Sequence, residues 1–509
     1  MSNAPIRNIL IVGGGSAGWM SAAMLSRMLS SRRVSIQLID LTDTELDLDS
    51  LDAGEASLPS IAELHAVLGI DEATLFRGAN ATISLGADFV DWPREGARAF
   101  RPFGSIGFRL DNLAFHHHWL RLRQSGESAK LSDYALAASA AKLGRFAPPT
   151  DDQASVLSTF DYAYHWLGSW HQKVMRDCAE RRGVTRIEGD VGRVHVRGEN
   201  GFIEAITLKD GRRLEADLFI DCSGARALLI QGALHAGYED WRACLPCDRA
   251  LAARYASAAA PAPFRTATAA TAGWTWRIPL QGSVGHGHVY ADAFETEEAA
   301  RKTLGAALEG APLEEPRLVK FASGRRMKAW SRNCVAIGAS ACVLDPLEPT
   351  ALRLALKSVK TLAQLLPADK NRTTDEADEY NRILGETALR ARDFVALRYL
   401  TTKAKTPFWT ACRAMSAPDS LAYKRDLFEA CGRVYLQDEE TFLESDWAAA
   451  WLGQEVIPRA YSPLADTPDL QATRESLRRM RTMIRSAAEG MPTHRAFIET
   501  SLARADSRA

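Results

Sequence analysis

Three glycines near the start of the chain, Gly13, Gly15 and Gly18, have the spacing of a nucleotide-phosphate turn. In a G-x-G-x-x-G turn the first glycine permits the sharp bend. The second lets backbone N–H groups approach a pyrophosphate, and the third lets a helix pack closely on a strand. Ser16 and Ala17 fall at the N-terminus of the following helix, where unpaired amides and the helix dipole favour an anion. Asp40 closes the next apolar run, 27 residues after Gly13. It can accept a hydrogen bond from a ribose hydroxyl, although the usual spacing is about 20. A glycine-rich turn without a ligand is the structural alternative, and the flanking elements argue against it.

Those elements form a βαβ unit. Ile6 to Val12 is a near-continuous apolar run, as a strand buried on both faces requires. Trp19 to Leu29 has a broad apolar helical face, and Val34 to Ile39 predicts a second strand. Two later segments repeat the strand-to-loop pattern: LFIDCSGAR, with Asp221, and NCVAIGASACVLDPLEPTA, with Gly338 and Asp345. Three strand ends converging on one nucleotide favour FAD, because that long cofactor crosses several strand tips. The pattern predicts helices over Ser60 to Leu68, Leu113 to Gln124 and Tyr162 to Arg181, and a strand over Thr82 to Trp92. Glu199-Asn200-Gly201 and Asp210-Gly211 predict antiparallel hairpins. The Ala/Pro/Thr-rich stretch Ser257 to Ala272 reads as a loop, the acidic Asp43 to Asp52 likewise, and beyond about 352 the pattern is helical.

The expected fold is therefore α/β: a Rossmann-like FAD-binding core, a strand-rich substrate region and a C-terminal helical part. The expected divisions are 1–235 for the core with inserted helices and hairpins, 236–325 for the substrate region, 326–365 for a return to the core, and 366–509 for the helices. With 62 Lys and Arg against 63 Asp and Glu, the chain has no charge excess to draw it to nucleic acid or anionic lipid. No apolar run is long enough for a membrane helix and no secretory pattern opens the chain, so the expected address is cytoplasmic. Cys244 and Cys247 form a lone C-x-x-C, and His116, His117 and His118 are consecutive. Consecutive histidines on a helix point about 100° apart, and the cysteine pair has no second pair, so no metal site is expected. Arg325-Arg326 reads as a solvated pair, with phosphate contact as the alternative.

Several motifs together resemble the flavin-dependent tryptophan halogenases over nearly the whole length. GGGSAGWM resembles their opening, and GEASLP, with Glu55 and Ala56, resembles their loop beside the flavin. GWTWRIPL matches W-x-W-x-I-P through Trp274, Trp276, Ile278 and Pro279. DPLEPTA, with Glu348, Thr350 and Ala351, resembles D-P-L-E-S-T-G, and GMPTHRAFI is also family-like. The resemblance implies that FADH2, delivered by a separate flavin reductase, reacts with oxygen to a flavin hydroperoxide, which oxidises chloride or bromide. The resulting hypohalous acid travels to a lysine beside a small aromatic, indole-like substrate. Trp274 and Trp276 carry over as the wall between flavin and substrate, and Glu348 as the active-site glutamate, with a helix-capping role as its alternative. Dimers are common among relatives, so the resemblance allows a homodimer without indicating its interface.

The chain departs from the family where halogen is handled. In NATIS, Ser84 stands in place of the lysine. Pro349 replaces a serine and removes an N–H, Ala351 replaces the glycine at the halide position, and Leu167 stands where relatives often carry Asp. Lys130, Lys142 and Arg101 are the cations considered as replacements. Two further readings follow: a lysine-less monooxygenase or oxidase, and a flavin-binding scaffold that does not halogenate.

Overall fold

The computed structural model describes residues 4–32, 34–42, 48, 51–110 and 112–507. Most of the acidic stretch expected as a loop at Asp43 to Asp52 lies outside these. The first strand, Asn8–Val12, is buried at four of its five positions. It is flanked in parallel by Ser35–Asp40 on one side and Leu218–Asp221 on the other. Cys334–Ala336 pairs in parallel beyond Leu218–Asp221, and Thr185–Glu188 beyond Ser35–Asp40. Trp330–Ser331 completes a six-stranded sheet as an antiparallel edge.

The glycine spacing follows from contacts at the end of the first strand. Gly13 has φ +113°, and a Cβ there would lie 2.1 Å from the Cys222 carbonyl oxygen. A Cβ on Gly18 would lie 1.9 Å from the Gly13 carbonyl oxygen. The helix Ser16–Met28 therefore starts flush against the strand end, with its first ten residues buried. Gly338, after the Cys334–Ala336 strand, comes up to the same helix, where its Cβ would meet that of Ala17 at 2.5 Å.

A second sheet has seven strands. Their order is Arg317–Lys320, Arg249–Ala256, Ser283–Tyr290, Gly273–Pro279, Arg265–Ala270, Gly86–Val90 and Arg98–Pro102. It takes two strands from before residue 235, so the sheets interleave the segments expected as core and substrate region. The hairpins form a separate three-stranded antiparallel sheet, Val191–Val196, Ile203–Leu208 and Arg213–Glu215. The C-terminal part is helical, led by Ala351–Gln364 and the 28-residue Thr374–Thr401.

Three local expectations are corrected. Ser257 to Ala272 contains a strand, Arg265–Ala270, whose small Ala and Thr side chains conceal its strand character. Its register is set by the tryptophan strand, with Ala267 opposite Trp276. Thr82 to Trp92 is two strands, Thr82–Ser84 and Gly86–Val90. The break is at Leu85, whose N–H donates to the Pro263 carbonyl and whose carbonyl accepts from Phe103. Tyr162 to Arg181 begins as a strand, Ala163–Trp166, paired with Glu55–Ala56 and Thr82–Ser84. Its aromatic residues suit a pleated surface better than a helix. The helix starts only at Gly168.

Asp221 fastens the loop after its strand. Its carboxylate accepts from the Ser223 amide and hydroxyl at 3.0 and 2.6 Å, and from the Leu229 and Ile230 amides at 2.8 Å each. Asp221→Ala would leave these buried donors unpaired. The expected loss is about 3 kcal/mol, read from the urea midpoint at unchanged slope. A loss below about 1 kcal/mol would show that the loop does not depend on this carboxylate.

Candidate active site

A cavity of about 170 Å³ opens where the two sheets meet. Ser16 and Ala17 line one end, Glu55, Ala56 and Gly338 its sides, and Trp276, Arg265, Glu348, Thr350 and Ala351 the other end. Nine of the expected site residues thus share one cavity. Gly13 and Gly18 act behind it through backbone packing, while a Cβ on Gly15 would meet nothing within 4 Å. That open approach and the free N-terminal amides of a 13-residue helix suit a pyrophosphate. Asp40 lies beside the glycine turn, where a Cβ on Gly14 would strike its carboxylate. Its Oδ2 already accepts from Arg186 at 2.7 Å.

The tryptophan motif is a strand read on one face. Alternation on Gly273–Pro279 places Trp274, Trp276 and Ile278 together, opposite Val289, Gly287 and Gly285 of the next strand. A Cβ on Gly287 would come within 2.0 Å of the Trp276 ring, so the indole lies flat over that glycine. At Gly285 a Cβ would meet the Ala53 carbonyl at 1.8 Å, and Gly54 sits over Ile278. The GEAS loop is therefore seated on the same face. The two indole centroids are 5.9 Å apart. Trp276 lines the cavity and Trp274 lies deeper, outside its lining.

Glu348 is buried and faces three guanidinium groups. Arg101 Nη2 donates to its Oε2 at 2.5 Å and Arg265 Nη2 to the same oxygen at 3.2 Å. Arg398 Nη2 stands 3.6 Å from Oε1. Burial pushes the Glu348 carboxyl up, but the charges of Arg101, Arg265 and Arg398 outweigh it and hold the group below the ordinary glutamate range. Burial in turn pulls Arg265 down to about 10 and Arg398 to about 9. The carboxylate serves no helix cap: Thr350 occupies that position, without a side-chain cap bond. The Thr350 N–H donates to the Glu348 carbonyl at 2.8 Å across Pro349, a tight turn for which a proline φ is suited. Ala351 begins the helix without a left-handed φ.

Ser84 is buried, and its hydroxyl donates to the Gly86 carbonyl at 3.5 Å rather than to Glu348. Lys142 pairs with Asp133 and Lys130 is exposed. Of the three cations considered from sequence, Arg101 is the one at the site. Arg265 and Arg398 escaped the sequence reading because one lies in the supposed loop and the other in a long helix with no motif around it.

Asp345 turns away from the cavity. Its Oδ2 accepts from the Tyr399 hydroxyl at 2.8 Å and its Oδ1 from the Leu347 amide at 3.0 Å. The three histidines diverge: His116 donates to the Gly432 carbonyl, His117 accepts from the Ser462 amide, and His118 faces the Leu110 carbonyl. Cys244 and Cys247 are buried free thiols. Arg325 pairs with Glu239, and Arg326 donates to the Ser340 and Ala225 carbonyls, bracing two of the strand-end loops.

Burial pushes the Asp345 carboxyl up to about 6, from an ordinary 3.8. The folded chain thus binds this proton more tightly than the unfolded chain does. The contribution of Asp345 to stability is greatest below about pH 4 and falls as pH rises to about 6. In urea titrations, the stability of wild type relative to Asp345→Asn should decline through that window. A flat difference would contradict it.

Among the described residues, no helix is long and apolar enough to cross a membrane. The family model for tryptophan halogenases matches residues 8–469. Tryptophan 6-halogenase ThaL of Streptomyces albogriseolus is 32% identical over 479 residues, covering 88% of this chain and 87% of the relative. BrvH, a flavin-dependent halogenase from Brevundimonas sp. BAL3, superposes with a TM-score of 0.92 at 37% identity, covering 97% of this chain and 99% of that one. Xcc4156, a flavin-dependent halogenase from Xanthomonas campestris, gives 0.93 at 36%, covering 98% and 99%. With the nucleotide turn, the tryptophan strand and Glu348 gathered at one cavity, and with likeness along nearly its full length, the chain belongs to the flavin-dependent tryptophan halogenase family of oxidoreductases.

Proposed function

We propose that this protein uses FADH2, supplied by a separate flavin reductase in the cytoplasm, to halogenate a small aromatic, indole-like substrate with chloride or bromide. The observation that carries this reading is the continuous lining from the N-terminus of Ser16–Met28, past Trp276, to Glu348. Reduced FAD, when bound, supplies the electrons with which oxygen is activated to oxidise halide. The amides at Ser16 and Ala17 would hold the pyrophosphate, and Asp40 a ribose hydroxyl. The Trp276 indole closes the cavity on the side of Trp274 and keeps the substrate from the flavin. Glu348, held as a carboxylate, takes the proton that the arene releases when halogen adds to the ring. A second cavity, of about 380 Å³, is lined by Phe108, Phe115, Leu443 and Ala448 together with Arg109, His116 and Glu444, a mixed lining that suits an aromatic substrate bearing polar groups.

A second reading has its own support. Ser84 offers no amine, Pro349 no N–H, and the Thr350 N–H is engaged by Glu348. These favour oxygenation of the arene, or plain consumption of reduced flavin, over halogenation. The test is product mass with reductase, FAD, bromide and an indole present. A bromine isotope doublet supports the first reading, and a gain of one oxygen the second. Glu348→Gln is expected to lower halogenated product about 100-fold with FAD binding retained. Ser84→Lys is expected to raise it. No gain would place the restriction at Pro349 and Thr350 instead.

A further inference from the structure

Cations that the Ser84 position does not supply come to Glu348 from the seven-stranded sheet. Ala87, three residues on, is paired with Arg101 on one side and Arg265 on the other, so both arginines project from the same face. Arg398 reaches the same point from the helix Thr374–Thr401, its guanidinium 3.4 Å from the centre of the Phe89 ring. The groups facing Glu348 are therefore Arg101, Arg265 and Arg398. Asp446 lies beyond Arg101, and Arg353 beside Asp446. Arg101 touches both acids, with Nη1 3.4 Å from Asp446 Oδ1. It is 3% exposed, and the rings of Phe103, Phe394 and Phe442 stand 5.4 to 5.8 Å from its guanidinium carbon.

An ion pair kept for stability would need one arginine. Even a well-made buried pair adds little over apolar packing. Three guanidinium groups around one carboxylate repel one another, and the Nε atoms of all three lack partners. Such an arrangement exceeds what one buried ion pair requires, and charge gathered in this way is common at working sites. Arg101 also lies between the cavities: Glu348 and Arg265 line the first, and the first turn of the helix Glu444–Gly453, which carries Asp446, lines the second.

We propose that Arg101 is the positioning residue for Glu348, fixing its carboxylate between the two cavities and standing as the cation beside it where the Ser84 position has no amine. The inference rests on the reading of Glu348 as proton acceptor. It also distinguishes this chain chemically. A guanidinium is a fixed donor without a free lone pair, so it can orient an oxidant by hydrogen bonding but cannot carry halogen as an amine can.

The test compares Arg101→Met, Arg101→Lys and Glu348→Gln. The first readout is an infrared pH titration of the flavin-free protein, following the protonated-carboxyl band that Glu348→Gln abolishes. Removing Arg101 takes away the largest of the charges that hold Glu348 down, so the band should emerge at least about one pH unit higher in Arg101→Met. Arg101→Lys should keep it near the wild-type position. The second readout is turnover. The acid limb of kcat should move upward with the band in Arg101→Met, with the KM for the arene little changed, and Arg101→Lys should recover part of kcat. A band at the wild-type pH in Arg101→Met, or one displaced equally by Lys and Met, would overturn the inference. Should Arg101→Met not fold, Arg101→Gln serves in its place with the same expectations. A band that shifts as expected in a protein that forms no halogenated product would instead count against the proposed function, because the titration needs neither flavin nor halide.

Discussion

A carboxylate with no access to water needs charge brought to it, and the buried Glu348 depends on that condition. Its three arginines come from the strand Arg98–Pro102, the strand Arg265–Ala270 and the helix Thr374–Thr401. No single segment could supply them. The site exists only because the seven-stranded sheet joins residues before 110 to residues after 260, and because the long helix packs across that sheet. Here the electrostatics of one side chain and the topology of the chain are one constraint. Burial of Glu348 alone would neutralise it, and the arginines alone would repel one another. Each makes the other tolerable.

The same join places the cavity. The six-stranded sheet brings the Gly13 turn, Asp221 and Gly338 to one edge, as parallel strands with a shared direction must. The seven-stranded sheet brings Trp276 to the same place because Gly285 and Gly287 have no side chains to hold the GEAS loop and the indole away. Asp221 secures the intervening loop from beneath. The cavity is thus bounded by elements that are rigid for separate reasons, as a preorganised site requires.

Much of this was legible in the residues. The βαβ unit, the hairpins, the buried strand after Asn333 and the helical C-terminal part follow from period and turn chemistry, and all are present. What escaped reading had physical causes. Arg265 lies in a strand of alanines and threonines, where the absence of large apolar residues removes the period-2 signal. Ala163–Trp166 is a strand because two partners wait for its edges, and no local pattern reports partners. Asp345 sits in the same motif as Glu348 but turns to Tyr399, a choice made by packing 54 residues away. The convergence of Arg101, Arg265 and Arg398 is a property of strand order, which local periodicity does not encode.

The family resemblance and the local chemistry therefore bear on different questions. Resemblance along the chain is carried by the glycine turn, the tryptophan strand and the shape of the sheets, which together define where a flavin and an arene would lie. The departures at Ser84, Pro349 and Ala351 leave that geometry intact, because none of them is strained in its present setting: Ser84 bonds within its own turn, Pro349 suits the tight turn it occupies, and Ala351 is helical. The Glu348 carboxylate faces three guanidinium groups, more positive charge than one partner would supply, with Arg101 held among three aromatic rings. Positive charge at this site comes from two neighbouring strands and a helix rather than from the Ser84 position.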